Sequence, residues 1–313
     1  MDALLSALGM DKVAVGFSNL SMFPLFDMAH YIISVMALRE QPGAIEISRR
    51  SPIACWFSAM IYCFGGAIVS SVLLGEPPVE VFSNNINILM ASAAWYLLFY
   101  CPNDMFFNIC AIHLFRVLLA GMKEVTRTWK VLSGVTLAYK QYKRLCIALI
   151  TIGWAKGAGT GLMSNFEQLV RGVWKPETNE LLKMSYATKV TLLGAVLFSL
   201  QTTGYLPIAQ HNLMFMYTIF LVVTKVTMMM TGSTVSPFAC VESVLCRVIL
   251  GLKSGDAEEK NSKSATKDIS NGTCPASNGN IKAEPEETCA PSASSPDTEE
   301  SNDSNKSSNK KDD

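Results

Sequence analysis

Apolar residues in the first three quarters of the chain gather into long runs separated by short polar breaks, and the runs are far too long for strands. The hydrocarbon core of a bilayer needs ~20 residues of helix to cross it. Seven runs reach or approach that length: Val13–Leu38, Pro52–Leu74, Ile86–Cys101, Met105–Met122, Leu145–Asn165, Ala187–Leu206 and Leu213–Thr231. Backbone groups in lipid must find their partners within the segment, so each run is predicted to be a helix. The third is short, and the fourth can continue into Lys123–Lys130. The connections are small, as in Gly75-Glu76-Pro77-Pro78 and Cys101-Pro102-Asn103-Asp104. The longest, Glu167–Lys189, holds Trp174, Lys175 and Pro176, a mixture suited to an interfacial segment.

From Ser254 onward the pattern stops, and Ser, Asn, Lys, Glu and Pro replace the large apolar residues. Such a segment cannot bury enough surface to offset its ordering entropy and is predicted to be disordered. The expected fold is therefore an all-α membrane protein of seven transmembrane helices, over residues 1–253, with a disordered tail over residues 254–313.

Composition sharpens this picture. Half the residues are hydrophobic and 17% are charged, against about 25% in soluble domains. The zero net charge hides a segregation. The tail carries seven Lys against thirteen Asp or Glu, a balance of −6, which leaves +6 on the body. The nine cysteines show no zinc spacing, and those in the body read as small buried apolar residues. Met1–Met10 lacks a basic region and a small-residue cleavage pattern, so no cleavable signal is expected.

Charge also suggests an orientation. The first connection carries Arg39, Arg49 and Arg50, whereas the second carries Glu76 and Glu80 with no cation. The positive-inside rule then puts the first connection in the cytosol and the N-terminus across the membrane, and seven crossings return the C-terminus to the cytosol. Lys140, Lys143 and Arg144 run against this assignment. The closing residues Lys310-Lys311-Asp312-Asp313 resemble the cytosolic dilysine retrieval signal of endoplasmic-reticulum membrane proteins, an address rather than an anchor. Asn271-Gly272-Thr273 would be a glycosylation acceptor only in a lumenal tail.

Lys123, Arg127 and Lys130 are the sharpest chemical feature. Spacings of four and three put them on one helix stripe. A cation at mid-bilayer costs from ~3 to more than ~10 kcal/mol, so such a row must meet a polar path, anionic groups or the interface. It could sense voltage, hold a phosphoinositide headgroup, or snorkel at a helix end. Lys156 lies mid-helix among Gly153, Gly157, Gly159 and Gly161, where snorkelling is difficult and a hydrated cavity or an anionic partner is the better reading. Gly65-Gly66 is a related feature of the second helix. Two glycine-interrupted helices in corresponding places suggest inverted repeats around a midplane pathway, although ordinary small-residue packing explains Gly65-Gly66 equally well. A faint echo between Pro24–Asp27 and Pro102–Asp104 fits such a repeat. Asp27 and His30, three apart, read as a satisfied buried pair or as part of a metal site lacking a third ligand, and His113 near Arg116 is similarly ambiguous. No protease elbow, phosphate loop or zinc signature is present.

Several runs are similar to the signatures of the trimeric intracellular cation (TRIC) channels. They include Lys123-Glu124-Val125 within Gly121–Lys130, Phe23-Pro24 through Asp27, Phe82-Ser83-Asn84-Asn85, Cys101-Pro102 and Gly153-Trp154-Ala155-Lys156-Gly157. The most specific is Asn165-Phe166-Glu167-Gln168-Leu169-Val170-Arg171-Gly172-Val173-Trp174-Lys175-Pro176-Glu177. The resemblance covers Phe23 to Pro237, and His211–Phe215 and Lys225–Met229 resemble the B type.

The resemblance implies a homotrimer of the endoplasmic- or sarcoplasmic-reticulum membrane, extending to the nuclear membrane, with one pore per protomer. Each protomer would hold two inverted three-helix repeats and a seventh helix. It would pass potassium as counter-ion when stored calcium is released, linking it functionally to calcium-release channels, and would be neither an enzyme nor a nucleic-acid binder. Carried over by residue, Lys123 and Arg127 resemble the pair that binds phosphatidylinositol 4,5-bisphosphate, and Lys130 the lysine that blocks the pore and moves with voltage. Gly65, Gly66, Gly157 and Gly159 correspond to bends in pore-lining helices, with Lys156 beside them. Calcium regulation from the lumen is implied without an acidic cluster to carry it, and no enzymatic cofactor is implied. A secondary transporter is the main rival, since it too would show inverted repeats. Its coupling-ion site would have to use Asp27 with Asp104.

Overall fold

The structure is a computed structural model that describes residues 9–143, 145–173 and 179–232. The predicted tail and its boundary at residues 253/254 lie outside these residues, as do the retrieval signal and Trp174–Glu177. Among the described residues the chain is all helix. In chain order the helices are α1 (Asp11–Ser18), α2 (Leu25–Arg39), α3 (Ala44–Arg50), α4 (Pro52–Leu74), α5 (Asn85–Tyr100), α6 (Met105–Ala111), α7 (His113–Tyr142), α8 (Cys146–Leu162), α9 (Ser164–Val170), α10 (Tyr186–Thr202) and α11 (Gln210–Thr231).

Local sequence sets several of these limits. Pro52 opens α4, where its missing N–H costs nothing. Gly75 closes the helix in the left-handed conformation, φ 75°, which a side chain would resist. Asn84 caps α5 by accepting from the Ile86 N–H. Asn103 and Asp104 both take positive φ in the turn before α6, a conformation that these two residue types tolerate best after glycine.

Each predicted run contains helix, with three corrections to its limits. The run Val13–Leu38 is two helices, because Asn19–Pro24 leaves the helical path and Pro24 restricts the residue before it. The fourth run does not stop at Met122. It breaks at Ile112, bends by 67° between α6 and α7, and continues to Tyr142. Nothing in the side chains around Ile112 accounts for the break. The fifth run ends at Leu162 and restarts as α9. Helices α4, α11 and the α8–α9 stretch are long and apolar enough to span a membrane by length and composition, the α6–α7 pair passes as one broken span, and α5 is a shorter apolar helix.

Packing follows a membrane pattern. The apolar window of α4 is 61% buried, whereas that of α11, about as hydrophobic, is only 28% buried. Ile53, Leu89, Leu114, Ile147 and Met230 all point outward, as lipid-facing residues do. The interior falls into two apolar clusters. One joins α2, α4 and α5 through Val35, Met36, Cys63 and Leu98. The other joins α7, α8, α10 and α11 through Val131, Val135, Phe198 and Leu221. Polar ties set their register. Trp56 donates to Ser92 Oγ at 2.9 Å and Trp95 to Cys55 Sγ at 3.4 Å, so α4 and α5 run antiparallel, and the Tyr100 hydroxyl donates to the Ser48 carbonyl of α3 at 2.8 Å. Helices α4 and α8, which contribute to the first and the second cluster, cross each other directly.

That crossing is made by glycines. Both helices run unbroken through them, so the expected interruption is replaced by close approach. A Cβ on Gly159 would collide with the backbone of Gly66, and one on Gly66 with the carbonyl of Lys156. Thr160 donates to the Tyr62 carbonyl at 3.1 Å beside the crossing. With no hydrophobic drive between helices in lipid, such backbone contact supplies the packing energy.

Two ion pairs, one half-exposed and one buried, brace the end of the bundle at which α2 finishes. Arg39 pairs with Asp104 at 2.8 Å, donates to the Leu98 carbonyl, and lies 4.2 Å from the centroid of the Phe107 ring. Glu167 is fully buried and binds Arg171 through both oxygens, at 2.5 and 3.0 Å, while Arg171 also donates to the Pro42 carbonyl. The start of the expected interfacial segment is therefore internal structure.

Candidate functional site

The stripe predicted on the fourth run exists, and α7 carries it whole. Lys123, Arg127 and Lys130 face one cavity of about 400 Å³. Helix α8 contributes Lys156, Gly157 and Gly159 to the same wall, α4 contributes Gly66, and α2 contributes His30. Gly65 is the site candidate that does not line it. Its open side faces the Gly159 carbonyl and Met163 instead.

The cavity runs along half of the bundle. Gln41, Ser164, Gln168 and Ser185 line it near the end braced by Arg39, and Gly66, Lys130 and Lys156 line its depth. Among the described residues, none of α4 beyond Gly66 and none of α8 before Lys156 lines it. It stops at the glycine crossing. A Cβ added to Gly134, one turn beyond Lys130, would come within 2.9 Å of the Gly153 Cα and 3.1 Å of the Lys156 Cβ, so α7 and α8 are also in close contact there.

The cations sit in different circumstances. Arg127, 8% exposed, is held bidentately by Glu124, which is 3% exposed. Nε donates to Oε2 at 2.7 Å and Nη2 to Oε1 at 3.1 Å, while Nη1 donates to Thr191 Oγ1 at 3.0 Å and to the Ala187 carbonyl at 3.3 Å. Arg127 thereby ties α7 to α10 and has most of its donors occupied. Lys123 is half-buried and donates to Ser34 Oγ at 3.2 Å. Lys130 is also half-buried, with Nζ 2.7 Å from His30 Nε2. The same His30 nitrogen lies 3.1 Å from the Cys63 carbonyl. A proton on Nε2 serves the carbonyl and a lone pair serves the ammonium, so the ring can hold only one of them at a time.

His30 and Glu180 line the cavity although the sequence pattern assigns neither to it. Spacing pairs His30 with Asp27, yet its cavity-side partner stands a hundred positions away. Glu180 lies in a connection with no motif around it and is the carboxylate among the described lining residues. The other pairs separate. Asp104 binds Arg39 in the last turn of α2, whereas Asp27 sits in the first turn of that helix, ~18 Å away along the axis at ~1.5 Å per residue. The two carboxylates proposed for a coupling-ion site therefore do not meet. Arg116 pairs with Glu40 at 2.8 Å rather than with His113.

Apolar helices packed around a basic cavity that is shut at mid-bundle define a membrane protein with a midplane pathway, a channel or a transporter. The family is plain. A family model described as TRIC channel matches residues 41–232, and the chain belongs to that family. It is 60% identical over 257 residues to the trimeric intracellular cation channel type B-A of Xenopus laevis, covering 82% of this chain and 90% of that one. A solved structure of a TRIC counter-ion channel, addressing its activity in calcium release, superposes with a TM-score of 0.69 at 64% identity, over 71% of this chain and 99% of that one. A trimeric intracellular cation channel from C. elegans with bound Ca2+ superposes with a TM-score of 0.65 at 37% identity, over 71% and 97%. These relatives are ion channels, and this chain is a channel rather than an enzyme.

Proposed function

We propose that the chain forms a homotrimeric potassium channel of the endoplasmic- or sarcoplasmic-reticulum membrane, with one pore in each protomer, supplying counter-ion current during calcium release. The observation that carries this reading is the half-length cavity, polar at its mouth, basic in its depth and closed where Gly66 meets Gly159. A closed state of a pore has this form, with a hydrated vestibule leading to a constriction that two helices can open by moving apart.

In this reading the protomer crosses the membrane seven times, as two inverted three-helix repeats followed by a closing helix. The first repeat is α2, α4 and α5, and the second is α7, α8 and α10, with α11 last. The two apolar clusters and the reciprocal glycine contact of α4 with α8 support it. The mouth of the cavity lies beside the Arg-rich first connection, hence in the cytosol, with the N-terminus lumenal.

Lys130 is the gating charge. It stands at the closed end of the vestibule, where the membrane field concentrates. A unit charge crossing the whole field gains ~2.3 kcal/mol per 100 mV, and a lysine side chain swinging off His30 samples part of it. Neutralising Lys130 as Lys130→Gln is expected to flatten the voltage dependence of opening in planar-bilayer recordings with potassium. An unchanged activation curve removes Lys130 from gating.

Phosphoinositide binds from the cytosolic mouth, with its phosphates reaching Lys123. Arg127 stands one turn deeper but is offset by Glu124, so the lysine carries the larger share of the headgroup attraction. Lys123→Ala is expected to weaken retention on phosphatidylinositol 4,5-bisphosphate liposomes severalfold, and equal retention would contradict the lipid site. Among the described residues no three His, Cys, Asp or Glu side chains converge on a metal position. They do not fit a side-chain calcium site, and the gating proposed here runs through the lysines.

A further inference from the structure

Cation conduction through this vestibule faces an electrostatic obstacle that its own residues create. Lys123, Arg127, Lys130 and Lys156 all line it, and a basic, low-dielectric cleft lowers the local concentration of positive ions. Glu180 opposes them from the mouth. Its Oε2 accepts from the Ser185 N–H at 2.9 Å and from Thr188 Oγ1 at 2.8 Å, which seats the carboxylate on the first turn of α10. Oε1 faces Gly161 of α8. A Cβ there would come within 2.9 Å of Glu180 Cγ, 3.0 Å of Cδ and 3.2 Å of Oε1. Gly161 therefore provides the space in which the carboxylate stands on the cavity wall, and both residues line that wall with Ser185 and Thr188.

We propose that Glu180 is the cation-collecting residue of the pore mouth, a carboxylate that gathers monovalent cations from the adjoining solution before they meet the basic depth. This rests on the pore reading above and adds a specificity-determining group to it. The side chain is half-buried and fixed by two hydrogen bonds, so its charge is held in one place instead of being averaged over a mobile loop. A fixed charge of this kind raises the local cation concentration most when screening is weak. The Debye length is ~10 Å at ~0.1 M salt and only ~3 Å at ~1 M.

Glu180 also ties down the start of α10 through Ser185 and Thr188, and the test must separate that role from the electrostatic one. Glu180→Gln keeps an oxygen acceptor for Ser185 and Thr188 and removes the charge. In single-channel recordings it is expected to lower unitary potassium conductance about twofold in dilute salt, near ~0.05 M, and to match the parent near ~1 M. The loss should be larger for ions entering from the Glu180 side, giving rectification. Glu180→Lys should deepen the loss in dilute salt. Parent channels that conduct alongside an unaltered Glu180→Gln variant in dilute salt would overturn this inference alone. A reduction equal at both salt concentrations would assign Glu180 to holding the start of α10 only and overturn it as well. Absence of unitary potassium currents in the parent protein would overturn the pore reading and this inference together.

Discussion

Arg127→Ala is expected to lower stability by about 3–5 kcal/mol, because it strands the Glu124 carboxylate in the interior without its partner. The loss arises from three contacts at once. The bidentate pair disappears, Thr191 and Ala187 lose their donor, and α7 is untied from α10. A thermal melt of the detergent-solubilised protein would register it as a large drop in midpoint. Adding Glu124→Gln to the same protein should restore part of the loss, since no charge is then left unpaired. Arg127→Lys should fall between, keeping a charge but not the planar fork that grips both oxygens. An Arg127→Ala protein melting with the parent would remove this pair from the framework. The result bears on lipid binding too. Loss of Arg127 releases a negative charge beside the headgroup site, so weaker phosphoinositide retention in that variant would be ambiguous. Lys123, which donates to the neutral Ser34 Oγ, is the cleaner probe.

This contrast shows where sequence reasoning was sufficient and where it stopped. Helical spacing alone put Lys123, Arg127 and Lys130 on one stripe, and the high cost of buried cations demanded a polar space for them. The structure supplies that space. Their inequality was less visible. Glu124, three residues before Arg127, was in plain sight as an i,i+3 partner, yet spacing does not say which stripe residue has its charge cancelled. Lys156 was legible for a similar reason, as a lysine in a glycine-rich helix that cannot reach an interface. Local spacing pairs His30 with Asp27 and cannot show its cavity partner Lys130, which comes from a helix a hundred residues away. Glu167 and Arg171 lie at the start of the longest connection, which the sequence pattern reads as an interfacial segment. Their mutual pairing, invisible in a hydropathy pattern, is what allows them to be buried. Helix limits failed where hydrophobicity and backbone geometry disagree. Leu20, Met22 and Phe23 keep Asn19–Pro24 apolar enough to mask the break that Pro24 marks, and at Ile112 only the backbone departs from the helical path.

The glycines had two readings in the sequence, as hinges or as packing surfaces, and the crossing geometry decides what a methyl group there would do. Gly159→Ala is expected to destabilise by about 3 kcal/mol or more, at or beyond the upper end for overpacking, since the atoms it meets belong to the backbone of Gly66 and cannot rotate away. Gly66→Ala should match it, because its added Cβ strikes the Lys156 carbonyl. Gly121, on the α7 face that meets Val222, is the control. A Cβ there finds a single neighbour at 3.7 Å, an ordinary contact, so Gly121→Ala should be neutral or stabilising by up to about 1 kcal/mol from helix propensity. The same steric wedge has a functional sign. Strain at the crossing is relieved by separating α4 from α8, and that separation is the movement proposed to open the pore. Protein that still assembles with Ala at residue 159 should therefore open at voltages that keep the parent shut. Bilayer recordings showing Gly159→Ala as stable and as tightly closed as the parent would mean that the crossing is not the constriction.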